Sequence, residues 1–277
     1  MLSPQSFRRS IRQEVVALFN DGAKGEAPVT PSLDALFEPK SIAWRVHGDV
    51  ASMMVGGIAS LLLQMLHPAV LGGVWDHSNF RRDMHGRLRR TARFIATTTY
   101  ADRELAEALI ARVRAVHDQV TGMLLDGTPY NANDPALLAW VHVTETSSFL
   151  DAWIRYGEPG MSRPDQDRYF AEMAKVGEAM GADPVPRSRA EARALITRVR
   201  PTLRADLRTA EVARLIMRSD ASDLRTELPR RLAVQAAVDL LPRWARRMHG
   251  LRLSLFERPI IRVGTIGMAQ TLRWAFR

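Results

Sequence analysis

Apolar residues recur at helical spacing along almost the whole chain, and no stretch alternates persuasively enough to read as a strand. Phe7, Ile11, Val15, Leu18 and Phe19 form one apolar face, opened by Ser3-Pro4 and closed by Asp21-Gly22. Residues 23–39, with three prolines, read as an ordered linker that wraps the core. Residues 49–66 are apolar on every side, which predicts a central helix. There Gly56, Gly57 and Ala59 would let another helix, or a flat ligand, approach the backbone. A helix over 80–98 carries Met84, Leu88, Thr91 and Ile95 on one stripe, and Arg87 shares a face with Thr91. A helix over 102–121 has Leu105, Leu109, Val113, Val116 and Val120 as its core stripe, with Gly122 as its stop. His117 falls beside that stripe and points inward or nearly so.

The stretch "DGTPYNANDP" is turn chemistry throughout. Asp134 then caps a helix over 135–156 that has Pro135 at its first position, ends at Gly157, and places His142, Glu145 and Phe149 on one face. Further helices are expected over 164–180, after a capping box at Ser188 and Glu191, over 209–217, 229–248 and 259–276. The fold class is all-α. Residues 1–40 form an N-terminal helix and wrapping linker, and residues 41–277 one helical unit.

Composition narrows the chemistry. The chain has 277 residues and no cysteine, which excludes disulfides, thiolate-bound zinc, iron–sulfur clusters and thiolate-ligated haem. Any metal must use His, Asp, Glu, Tyr or Met. The net charge is +9, yet arginine is scattered through every segment and interleaved with acids, so a nucleic-acid partner is not expected. A twin arginine near the start has no apolar run behind it, so no signal peptide is read and a cytoplasmic location is expected. The longest apolar run, "VASMMVGGIASLLLQMLHPAVLGGVW", is broken by Gln64, His67 and Pro68, and reads as a buried helix rather than a membrane span.

Several site classes are missing. There is no HExxH, no Glu three residues before any histidine, no phosphate-binding glycine loop and no GxSxG elbow. Four histidines remain close in sequence. His67 precedes a proline at a helix end, where it can bond a free carbonyl. His77 can help cap the next helix with Asp76 or Ser78, and His85 sits among arginines facing solvent. His117 lies on a long helix with little packing reason to be there. It is either a hydrogen-bonded interior histidine or a metal ligand. His142 either faces the same cavity or donates to a buried carbonyl, with Glu145 as a possible partner.

The blocks "WRVHGDVASMMVGGIASLLLQMLHPAVLGGVWDHSNFRRDMHGRLRRTARFI", "VRAVHDQVTG" and "DGTPYNANDPALLAWVHVTETSSFLDAWIRYG" resemble the catalytic domain shared by bacterial latex-clearing proteins (rubber oxygenases) and fungal MpaB oxygenases. Order and spacing agree over about residues 44–181, and "LPRWARRMHG" resembles the family's C-terminal part. The resemblance implies a globin-like helical bundle around one haem b, with dioxygen oxidising an apolar, isoprenoid or lipid-like small molecule. His117 matches the family's proximal iron ligand. Arg87 and Thr91 match an arginine and a threonine near the haem, and Arg87, then Arg114, are candidates for holding its propionates. Against these, Arg87 can form a salt bridge and Thr91 can bond back to its own helix.

The chain also departs from the family. Arg90 stands where the rubber oxygenases carry a lysine able to cap the distal iron, and arginine does not readily deprotonate. The family's distal glutamate has no clear counterpart; Asp76 and Asp83 are the nearest acids. Without a secretion signal, extracellular rubber is not the expected substrate. The rival reading is a haem- or lipid-binding helical protein without turnover. Either is compatible with peripheral contact to an anionic membrane.

Overall fold

Each of eight helices begins on a Ser or Asp whose side chain accepts a backbone N–H from the first turn. These caps are Ser3, Ser41, Asp49, Asp83, Asp102, Asp134, Ser162 and Ser188. The computed structural model describes residues 3–20, 25–217 and 224–276. The expected stop at Asp21-Gly22 and the side chains of Leu18, Phe19 and His85 lie outside the described residues.

The described chain holds thirteen α-helices and is all-α apart from one small hairpin. In order they are α1 (Pro4–Phe19), α2 (Ile42–His47), α3 (Val50–Gln64), α4 (Pro68–His77), α5 (Met84–Tyr100) and α6 (Arg103–His117). After the strands β1 (Thr121–Met123) and β2 (Pro129–Asn131) come α7 (Pro135–Tyr156), α8 (Arg163–Met180), α9 (Arg189–Val199) and α10 (Leu207–Met217). The last three are α11 (Leu224–Leu240), α12 (Arg243–Met248) and α13 (Glu257–Phe276).

The centre is the pair α3 and α7. Gly56 makes their close approach possible: a Cβ there would meet Phe149 Cδ1 at 2.8 Å and Phe149 Cα and Ser148 O at 2.9 Å. The space that Gly56 opens is therefore filled by a helix and not by a ligand. α11 and α13 pack on the other side of α3, and α8 and α9 on α7. Trp140, Phe149, Leu62, Leu66 and Phe170 are closed off in this core. In the linker before α2, Leu36 and Phe37 are buried, and Ser32 N and Arg103 N bond Tyr100 O and Asp34 O across it.

Some boundaries differ from the sequence expectation. The run after residue 66 turns into α4, which meets α3 at 103°, so the long apolar stretch is two helices; no single described helix is long and apolar enough to cross a membrane. Phe80 is buried in the turn before α5, not in the helix. Residues 121–123 leave the helix and pair antiparallel with 129–131, because Tyr130 folds over Gly122 and Gly72. The expected stripe on α6 is also rotated: Leu105 and Val116 are 63% and 57% exposed, while Ala106 and Ile110 are buried. A heptad-like count placed the stripe one position off. The segment expected as one helix over 229–248 breaks at Pro242 into α11 and α12.

Candidate functional site

α5 and α6 pack on each other, and α2 and α8 connect them to the α3–α7 centre. The faces of four helices around this region are only half buried: Met53, Met54, Gly57 and Ile58 on α3, Leu88 and Ile95 on α5, Val113 and His117 on α6, and Val141 and Glu145 on α7. Each set follows helical spacing, so each is one face rather than scattered exposure.

His117 is the last residue of α6, where the chain turns into the hairpin. Its Nδ1 is buried without a hydrogen-bond partner. Burial holds the imidazole below its ordinary pKa and the Arg87 charge pushes the same way, against Asn133 and Asp118, which raise it. Beside it, the Asn133 carboxamide is clamped. Its Nδ2 donates to Arg114 O at 3.0 Å and to Asp118 Oδ1 at 2.6 Å, and its buried Oδ1 has no partner of its own. The imidazole and the amide oxygen are thus two orphaned groups on neighbouring side chains.

Arg87 is half buried, with a guanidinium pKa lowered by burial and by the neighbouring Arg90 charge. Among the described residues it forms no ion pair. Thr91 is exposed and its hydroxyl donates to Arg87 O at 3.2 Å, the back-bond expected of a mid-helix threonine. Arg90 pairs with Asp83 at 3.4 Å. Arg114 donates to Ala179 O at 3.1 Å and packs over Gly181, tying α6 to the end of α8.

The remaining histidines have other places. His67 caps nothing with its side chain, and its buried Nδ1 lacks a partner. His77 Nε2 lies 2.9 Å from Thr121 O and so holds the hairpin rather than a helix end; Asp76 accepts from Tyr130 OH at 2.7 Å in the same cluster. His47 is enclosed between Thr99 Oγ1 at 2.8 Å and Tyr169 OH at 2.9 Å, and burial takes its pKa down to about 3. His142 is buried with an unpaired Nε2 close to Gly177, and burial lowers its pKa to about 4. No bond joins it to Glu145. Among the described residues no three His, Asp or Glu side chains gather as a self-sufficient metal site.

Glu145 is the residue whose setting the sequence foreshadowed least. Its neighbours Thr144 and Thr146 are fully enclosed, and burial pushes its carboxyl up to about 7. Yet the residue keeps some accessible surface, and among the described residues its carboxyl takes part in no hydrogen bond or ion pair. Asn133 was missed because it reads as turn chemistry inside "YNANDP". A surface depression of about 450 Å³ lies between α4, the hairpin and the start of α7, lined by Tyr130, Asp134 and Leu137; it contains none of the residues expected to act.

No curated protein and no solved structure matches the chain. A family model does match over residues 44–274, which takes in α3 to α12, all but the end of α13 and every residue of the His117 site. The chain belongs to the family described as ER-bound oxygenase mpaB/B′ and rubber oxygenase, catalytic domain.

Proposed function

We propose that the chain is a haem-b-dependent oxygenase that uses dioxygen on an apolar, isoprenoid- or lipid-like small molecule. The observation that carries this reading is that His117 and Asn133 lie side by side, each with a buried polar atom that has no other partner. The imidazole is held towards its neutral form, and a clamped amide oxygen with no other donor sits beside it. A metal-bound histidine commonly gives its second N–H to such an acceptor, which fixes the tautomer and leaves the other nitrogen for the metal. His117 has no partner ligands from the described chain, so an iron held there needs its other ligands from a macrocycle.

The donor set fits that group. His117 would hold the iron. Arg87, charged and without a carboxylate, would take a propionate, with Arg114 as the second candidate once it yields Ala179 O. Met53, Met54, Ile58, Leu88, Ile95 and Val113 would supply apolar walls that keep water from the substrate. Bound haem would supply the iron chemistry that activates dioxygen. Glu145, with a carboxyl near neutrality, can hold or release a proton in that interior. Arg87 and Thr91 are assigned to the reacting face, where Thr91 would exchange its bond to Arg87 O for one to a ligand.

The test is the absorption spectrum of protein loaded with haem, beside His117→Ala. An intense Soret band that the substitution removes supports the reading; no band after loading overturns it. The second reading, a haem- or lipid-binding protein without turnover, is favoured by Arg90 lying in an ion pair with Asp83 and by the back-bonded Thr91. Dioxygen uptake with apolar alkenes separates the two, since the second reading predicts none above background.

A further inference from the structure

The outward face of α13 is apolar. Phe256, Ile260, Val263, Gly267, Gln270 and Trp274 follow at alternating four- and three-residue steps, which puts them in one strip that holds no charge. Phe256, Ile260 and Val263 are 87%, 73% and 70% exposed, and Leu255 just before them is 78% exposed. The opposite face, Ile261, Thr265 and Ala269, is buried against the body of the protein. An outward apolar face is unusual in a chain that is one-quarter charged.

The margins of the strip are basic. Arg252 is exposed ahead of α13, while Arg262, with 45% of its side chain exposed, lies towards the packed side of the helix and is paired with Asp239. At the far end the Arg8 guanidinium lies over the Trp274 ring at 5.3 Å and that of Arg12 over Phe276 at 6.0 Å. Of the nearby acids, the Asp239 carboxylate is enclosed by Arg155, Arg258 and Arg262, whereas Glu257 is exposed, accepts from Ser254 N and leaves one negative charge beside the strip.

We infer that this face docks on an anionic phospholipid surface, with α13 lying in the plane of the interface. Apolar side chains enter the headgroup boundary while arginines meet phosphates at its edge, the arrangement of an interfacial amphipathic helix. Charge selects this occupant over a second copy. Two chains of +9 would bring their basic margins together, whereas anionic lipid complements them. A spanning role is excluded for α13 because its inner face is already packed. The inference stands apart from the haem reading.

Flotation of the intact protein with vesicles of phosphatidylcholine alone, or mixed with phosphatidylglycerol, tests it. Expected is binding to the mixed vesicles that weakens with added salt, and little binding to phosphatidylcholine. The triple substitution Phe256→Ser, Ile260→Ser, Val263→Ser should weaken binding by about tenfold or more while the circular dichroism and the unfolding transition are kept. No binding at low salt, or equal binding by the triple variant, overturns the inference. So does a wild-type dimer in sedimentation velocity that the triple variant lacks, which would assign the face to a second copy.

Discussion

Asn133 Nδ2 donates to Asp118 Oδ1 across 2.6 Å, tying the segment after the hairpin to the residue that follows His117. The same nitrogen donates to Arg114 O, one turn earlier in α6. The amide therefore cannot rotate freely, and its oxygen stays beside the imidazole. Asn133→Ala would remove the clamp and the acceptor together. Outer-shell partners of this kind typically change metal-site affinity by about 10–100-fold. We expect haem to transfer from Asn133→Ala to a haem scavenger at least about tenfold faster than from the wild type, with a shifted Soret maximum. An unchanged transfer rate and spectrum would remove Asn133 from the site.

Gly56 and Gly57 are adjacent but should respond oppositely to substitution. A Cβ at Gly56 falls 2.8–2.9 Å from the Phe149 ring and from α7 backbone atoms that cannot move alone. Overpacking of this kind costs roughly 1–3 kcal/mol. A Cβ at Gly57 meets Phe149 Cε1 at 3.7 Å, an ordinary contact, and helix propensity favours Ala by about 0.5–1 kcal/mol. Urea unfolding of Gly56→Ala and Gly57→Ala should thus move the midpoint in opposite directions. Equal shifts would mean that α3 and α7 are not held as described.

Much of this architecture was legible in the sequence because local signals and burial agree. Asp134-Pro135 opens α7 and Gly157 closes it as expected, and Ser188 with Glu191 opens α9, although the Glu191 carboxylate bonds Arg187 N rather than the cap residue. What local pattern does not reveal is which of several compatible faces the tertiary fold buries. Leu105 and Val116 share helical spacing with Leu109 and Val113 yet face solvent, because α5 and α8 pack against α6 and the side it buries holds Ala106 and Ile110. Asn133 is equally illegible: its role comes from a clamp to residues 15 and 19 positions away, which no local signal encodes.

Asp239 should be indispensable while each of its partners is not. Its carboxylate is nearly inaccessible and accepts from Arg155 and Arg262, with Arg258 at 3.4 Å. Arg262 in turn has its guanidinium pKa raised by that hydrogen bond. Removing the acid leaves three cations facing one another between α7, α11 and α13. Breaking a buried pair in this sense costs about 3–5 kcal/mol. Arg262→Ala leaves two partners in place and should cost about 1 kcal/mol. Denaturant unfolding of Asp239→Ala and Arg262→Ala would reverse this order only if the cluster were not bound through Asp239.

Glu145 predicts a stability that declines on the alkaline side of its range. Burial raises its folded pKa to about 7 from an ordinary value near 4.5, so the folded state favours the protonated carboxyl. Its contribution is complete below the unfolded pKa and is lost as pH rises through about 7. The penalty at pH 8 is at most about 3 kcal/mol. His142 and His47 act in the opposite direction. Their folded pKa values, about 4 and about 3, lie below the ordinary 6.5, so their contribution is complete above 6.5 and is lost as pH falls towards those values. Between 4.5 and 6.5 the two effects oppose each other, and above 6.5 Glu145 acts without them. Unfolding free energies for the wild type and Glu145→Gln, measured from pH 5 to pH 8.5, should converge at the acid end and separate towards the alkaline end. There the Gln variant should be the more stable. Curves that stay parallel would place the Glu145 carboxyl in contact with bulk water, and would remove it as the proton-holding group of the interior.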